Sequence, residues 1–206
     1  MAGWYGRVIV PQIIRFGCGC AALGPLRQHI VPKACGRVLD IGFGAGANLQ
    51  YYERAQLSEL VGIEPSAELR KLAAARVRTL EMPLTLVAGS SEELPFADAS
   101  FDTAVSSFTL CSVEDPYRSL AEIRRVLKPG GKLLFCEHGL SPDPSVSAWQ
   151  RRIEPVWKPL FGGCHLTRPV RGNVERVFKV TAWQGAYQNG KRSFAGWMEW
   201  GEAGAA

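Results

Sequence analysis

Apolar positions in this chain follow two periods. From about residue 37 to residue 138, short apolar runs alternate with stretches in which apolar residues recur every third or fourth position. The runs Arg37–Ile41, Leu60–Ile63, Leu84–Ala88, Phe101–Phe108 and Lys132–Glu137 predict five strands. Three helices are expected between them, over Ala47–Glu53, Ser66–Leu80 and Pro116–Leu127. In the second, Ser66 stands as an N-cap before a stripe of Leu69, Leu72, Ala73 and Val77. In the third, Leu120, Ile123, Val126 and Leu127 form the stripe, and Lys128-Pro129-Gly130-Gly131 follows as a turn. Strands alternating with helices predict a parallel sheet covered on both faces.

The flanks read differently. Residues 1–34 are apolar and aromatic, broken by Pro11, Gly17, Gly19, Pro25 and Pro32, and predict one or two short helices. Such a segment caps a site, touches a membrane surface or packs into the core; the sequence leaves these open. Prolines also interrupt residues 141–176, where helical pieces are expected around 147–158 and 169–177. Phe178–Trp183 and Ser193–Trp200 predict a closing antiparallel hairpin. The expected whole is one α/β domain over residues 1–206. Its doubly wound sheet has seven strands and is mostly parallel, with an antiparallel C-terminal hairpin.

Composition narrows the function classes. With 206 residues, 47% hydrophobic and 21% charged, the chain is long and apolar enough for one sizeable core. Lys and Arg exceed Asp and Glu by 24 − 19 = 5, but no run of like charge marks a nucleic-acid arm. The six cysteines include no CxxC pair, and Cys18-Gly19-Cys20 lacks a matching second pair, so no metal site is expected. Pro25, Arg15 and Arg27 interrupt the longest apolar stretches, and no secretory signal is evident. The cytoplasm is the expected compartment, with peripheral membrane contact through the N-terminal segment as an alternative. Monomer and homodimer stay open.

The chemistry concentrates at the end of the first strand, in Val38-Leu39-Asp40-Ile41-Gly42-Phe43-Gly44-Ala45-Gly46. Glycines at such a turn let backbone approach a ligand closely, and a following helix would add free N–H donors. The same residues fit the dinucleotide-binding GxGxxG/A pattern. Asp40 opposes that reading, because it repels a pyrophosphate and suits an amino-acid or sulfonium group. Glu64 ends the second strand, 24 residues after Asp40, where a carboxylate can accept from both hydroxyls of a ribose.

With these residues in place, the chain resembles the class I S-adenosylmethionine-dependent methyltransferases, in the branch that includes ubiquinone and menaquinone methyltransferases. The resemblance rests on residues 38–46, Glu64, Glu93-Leu94-Pro95-Phe96 with Ser100-Phe101-Asp102, and Glu122–Gly131, in that order. It implies a Rossmann-like core over 37–138, an N-terminal cap and an acceptor-side segment over 139–206. S-adenosylmethionine is the implied cofactor, held by Asp40, Gly42, Gly44, Gly46, Asn48, Glu64, Pro65, Ser90, Ser91, Glu92, Ser107 and Phe108. One departure is visible: Ser90 stands where many members carry the aspartate that meets adenine.

A narrower similarity, to small-molecule thiol methyltransferases, is carried by Thr109–Val113, Glu137-His138, Trp157 and Gly163–Arg168. It implies a small, rather apolar acceptor. The sulfonium methyl is already activated, so positioning supplies most of the catalysis. A thiol must still lose its proton, and His138, then His165, are the candidate bases. Methyl transfer needs no covalent enzyme intermediate, so Cys164 is read as structural. Tyr5, Trp149 and Trp157 are candidates for an acceptor wall, or else for core packing. Phospholipid and quinone N-, O- or C-methylation, a NAD(P)-dependent oxidoreductase and a non-catalytic cofactor-binding protein are the competing readings. A nucleic-acid methyltransferase is disfavoured, since Ser106-Ser107-Phe108-Thr109 replaces the Asp/Asn-Pro-Pro-Tyr/Phe element.

Overall fold

The computed structural model describes residues 9–18, 20–80 and 84–205. Its strands are β1 (Gly36–Ile41), β2 (Leu57–Ile63), β3 (Leu84–Val87), β4 (Phe101–Ser107), β5 (Leu127–His138), β6 (Lys179–Tyr187) and β7 (Trp197–Gly204). They form a seven-stranded sheet in the order β3-β2-β1-β4-β5-β7-β6. The first five pair in parallel, and β7 runs antiparallel to both β5 and β6. This is the expected fold class.

Successive strand residues point to opposite faces, which divides the core in two. Leu39, Ile41, Leu133 and Phe135 pack against Leu120, Ile123 and Val126 of α4 (Pro116–Val126) and Val170 and Val174 of α6 (Val170–Glu175). On the other face Val38, Leu60, Val105 and Leu134 meet Ala73 of α3 (Ala67–Leu80) and Leu23, Ile30 and Val31. Ile30 ends α2 (Gly24–Ile30), which follows α1 (Val10–Gly17). Residues 23–31 therefore pack into the core; Ile30 and Val31 are buried, each worth roughly 1.5–3 kcal/mol. Residues 1–8, which include Tyr5, lie outside the described residues. Among those described, no helix is long and apolar enough to cross a membrane.

Helix starts follow their capping residues. The Asp115 carboxylate accepts the N–H groups of Tyr117 and Arg118 ahead of α4, and Asp143 caps α5 (Pro144–Leu160) through Ser145. Ser66 caps α3, its hydroxyl oxygen accepting from Leu69 N–H at 3.3 Å.

Three expected elements differ. The turn expected over Lys128–Gly131 lies inside β5, which starts at Leu127 opposite Phe101 and shifts register before Thr103. The helix predicted over Ala47–Glu53 is a single 3-10 turn, Leu49–Tyr51. Asn48 and Tyr52 both turn inward to the buried Asp40, and a second 3-10 turn, Arg54–Gln56, leads straight into β2. Only residues 47–56 return the chain from the glycine turn to Leu57, which pairs with Gly36 at the start of β1. The closing hairpin lies a few residues later than predicted, because pairing with β5 sets its register: His138 faces Met198 and Lys132 faces Gly204.

Candidate active site

Strand order reverses between β1 and β4, so a crevice opens at their carboxyl ends. Leaving β1, the chain turns through Gly42, Gly44 and Gly46 at φ of +64°, +58° and +77°. A Cβ on Gly42 would sit 2.2 Å from Thr109 Oγ1. The turn is thus pressed against the loop after β4, and Thr109 Oγ1 donates to the Ile41 carbonyl at 2.9 Å.

Asp40 lies beneath this turn, 1% exposed. Its carboxylate accepts from Asn48 Nδ2 at 3.1 and 3.0 Å and from the Tyr52 hydroxyl at 2.8 Å. Asn48 Oδ1 in turn accepts from Arg27 Nε at 2.9 Å. Arg27 is itself buried, its guanidinium donating to the Cys18 carbonyl and lying 4.9 Å from the Phe108 ring centre. Burial raises the Asp40 pKa from 3.8 to about 6, despite the opposing pull of its two hydrogen-bond donors and Arg27. Asp40 reaches the crevice only through Asn48.

Glu64 ends β2. Its carboxylate accepts from Gly44 N–H at 3.0 Å and Ser66 N–H at 2.8 Å, tying the glycine turn to the next strand. Burial pushes its pKa up, while those donors and Arg70 pull it down. Opposite stands Phe108, a non-glycine residue at φ +58°. Its conformation is held by its own N–H on the Cys136 carbonyl and by the Thr109 and Cys111 N–H groups on the buried Glu137 carboxylate. Held strain of this kind is typical of ligand sites.

Two confluent cavities result, sharing Cys18, Gly42, Gly44 and Phe108 as walls. The larger, about 550 Å³, runs from Arg27 and Asn48 past Ser107 to Leu72 and Arg76 of α3. The smaller, about 240 Å³, is bordered by Glu64 and Pro65, by Ser90, Ser91 and Glu92, and by Ser112, Val113 and Phe161. Together they match the size range of small-molecule sites. Ser107 Oγ is buried without a hydrogen-bond partner and borders the larger cavity, as expected of a group that meets a ligand.

Ten of the expected cofactor residues thus meet on these walls, while Asp40 and Gly46 shape the turn from behind. The Ser91 hydroxyl is turned to Ser119 Oγ at 2.9 Å, and Glu92 accepts the N–H groups of Glu114 and Asp115. Neither candidate base borders either cavity. His165 Nδ1 is 3.0 Å from Glu154 of α5, and burial lowers its pKa against that carboxylate's pull. His138 lies behind Phe108, ring centres 5.3 Å apart, with Nδ1 3.8 Å from Cys164 Sγ. Trp149 is exposed, whereas Trp157 stacks on Phe161 at 3.7 Å. Arg27 and Cys18 are wall residues that the sequence reading missed. The available signal was a lone arginine within the apolar stretch before β1.

The description "Methyltransferase domain" fits residues 39–135, which span β1 to β5 and every wall loop between them. A thiol S-methyltransferase, TMT1B of Rattus norvegicus, is 38% identical over 144 residues, 68% of this chain and 58% of that protein. Residues 39–135 of the chain are thus a methyltransferase domain. A demethylmenaquinone methyltransferase of Renibacterium salmoninarum is 40% identical over 101 residues, covering 49% of this chain and 40% of the relative. The solved S-adenosylmethionine-dependent methyltransferase of Mesorhizobium loti shares the fold, with a TM-score of 0.69, 19% identity and coverage of 91% of this chain and 100% of that one. The chain spans about three-fifths of the length of the thiol methyltransferases it matches.

Proposed function

We propose that this methyltransferase methylates a small apolar or amphipathic molecule, with a thiol as the leading acceptor. The observation that carries this is the pair of confluent cavities meeting at Phe108, one walled by carboxylate and hydroxyl groups, the other by a buried arginine. When bound, S-adenosylmethionine supplies a methyl group already activated on a sulfonium sulfur.

The chain's residues divide the binding task. Glu64 is the acceptor for a ribose, with Ser90 and Pro65 beside it. Arg27 and Asn48 face a carboxylate or amino group, and Asp40 keeps the Asn48 amide turned for that role. Phe108 borders both cavities and lies against the middle of the cofactor. Because neither histidine borders the cavity, the thiol enters as a thiolate that has already lost its proton to solvent, and positioning carries the catalysis in this reading. The relatives named as thiol S-methyltransferases support the thiol, and the demethylmenaquinone methyltransferase keeps a quinol as the second reading.

The test is formation of S-adenosylhomocysteine with an alkyl thiol, an aryl thiol, a reduced quinone and an amine in parallel. Turnover with the thiols is expected. Turnover with the quinol alone would replace the thiol reading. Cofactor binding with no turnover of any acceptor would make the chain a binding protein. Thermal stabilisation by NAD(P)H but not by S-adenosylmethionine would overturn the assignment altogether.

A further inference from the structure

Three side chains outside the cavity walls converge although the sequence keeps them far apart. Cys111 follows β4, His138 ends β5 and Cys164 follows α5. Their Sγ, ring-nitrogen and Sγ atoms all lie within 4.8 Å of one another. We propose that Cys111, His138 and Cys164 form a binding site for one divalent zinc ion.

The spacing fits. Two thiolates at about 2.3 Å from a tetrahedral zinc stand roughly 3.8 Å apart, and a thiolate and an imidazole nitrogen roughly 3.6 Å apart. Here the two sulfurs are 3.8 Å apart, and His138 Nδ1 is 3.8 Å from Cys164 Sγ. The ligand set is chemically coherent as well, since two thiolates and an imidazole favour a borderline-soft ion over calcium or magnesium. Two thiolates also neutralise the ion's charge, which suits a buried place: Cys111 is 1% exposed and Cys164 5%.

The backbone holds the arrangement from outside. His165 N–H donates to the Cys111 carbonyl at 2.8 Å, and the Arg168 guanidinium donates to the carbonyls of Leu110 and Val113. Glu137 Oε2 accepts the Cys111 N–H at 3.1 Å. The segment 164–168 is thereby clamped to the loop 110–113, and the two sulfurs face each other by construction. Three protein ligands leave a fourth tetrahedral position for water or another donor, the pattern of reactive rather than purely structural zinc sites.

The experiment uses the full, reduced chain, stripped of metal with a chelator. Zinc is titrated against a chromophoric competitor, and cobalt(II) is substituted to read thiolate-to-metal absorption. One equivalent of zinc is expected, with strong near-ultraviolet cobalt–thiolate bands. C111S and C164S should each weaken binding by at least about 100-fold, more than outer-shell changes cause. C35S, at an exposed cysteine away from the cluster, should bind as the parent does. Should the serine variants fail to fold, cobalt(II) spectra of the unaltered chain decide: one bound ion should show thiolate charge-transfer intensity and a tetrahedral visible spectrum. No stoichiometric binding, binding that survives both substitutions, or bound cobalt without thiolate bands would each overturn the site. Binding of S-adenosylmethionine is followed separately, so failure of the zinc site and failure of the methyltransferase reading give different signals.

Discussion

Replacing Asp40 by Asn tests the layer beneath the glycine turn. The buried carboxyl has a pKa of about 6, against an ordinary 3.8. At about 1.4 kcal/mol for each tenfold change, this corresponds to roughly 3 kcal/mol of stability. Because the folded pKa is the raised one, the folded state holds its proton more tightly. The contribution is therefore favourable below pH ~4 and is lost as pH rises through about 6. About half of the loss falls between pH ~5 and pH ~8. Asn at position 40 keeps the shape and one acceptor for the Asn48 amide, and its own N–H can meet the Tyr52 hydroxyl, but it does not titrate. Urea unfolding of both proteins at several pH values gives the difference between them. The variant should gain about 1.4 kcal/mol on the parent between pH ~5 and pH ~8, with Glu64 and the β7 residue Glu199, two carboxyls whose pKa burial also raises, cancelling in the comparison. A difference that stays constant within about 0.3 kcal/mol would refute the argument, since it would mean that Asp40 titrates as if in water.

The other predictions concern the walls. Glu64→Ala removes a charged acceptor and should weaken S-adenosylmethionine binding by roughly 10–100-fold by calorimetry, with Glu64→Gln in between. Gly42→Ala places a methyl 2.2 Å from Thr109 Oγ1 at a positive φ and should cost about 2–4 kcal/mol in urea unfolding. Adding Thr109→Ala should recover only part of the steric cost, since its Cβ stays 2.9 Å away, and none of the backbone part, so full rescue would refute both penalties. Glu137→Ala leaves Ser106 Oγ and two backbone N–H groups without their buried acceptor. A loss of about 3–5 kcal/mol is expected, with a thermal shift as the readout; a loss below about 1 kcal/mol would contradict the role given to this carboxylate.

What the sequence determined is the local pattern. Strand periods, the cap at Ser66, and the ordered glycine, Glu64 and Leu94-Pro95-Phe96 elements are each written within a few residues, because each expresses one element's own packing or one backbone turn. They were enough to single out ten residues that line the two cavities. The tertiary structure decided whatever depends on residues meeting from afar. The helix expected after the glycine turn gives way to two 3-10 turns because residues 47–56 alone must bring the chain back to Leu57, opposite Gly36, a demand that helical periodicity does not register. Arg27 becomes a wall of the cavity because residues 23–31 pack against strands that follow them in the chain. His138 and His165 look like bases at their positions, yet one meets Cys164 and the other Glu154. The same convergence brings Cys111, His138 and Cys164 within ligand distance, although their spacing along the chain carries no metal-binding signature. Pairing across a sheet is set by strand order and by the burial of distant faces, and no local run of residues encodes it.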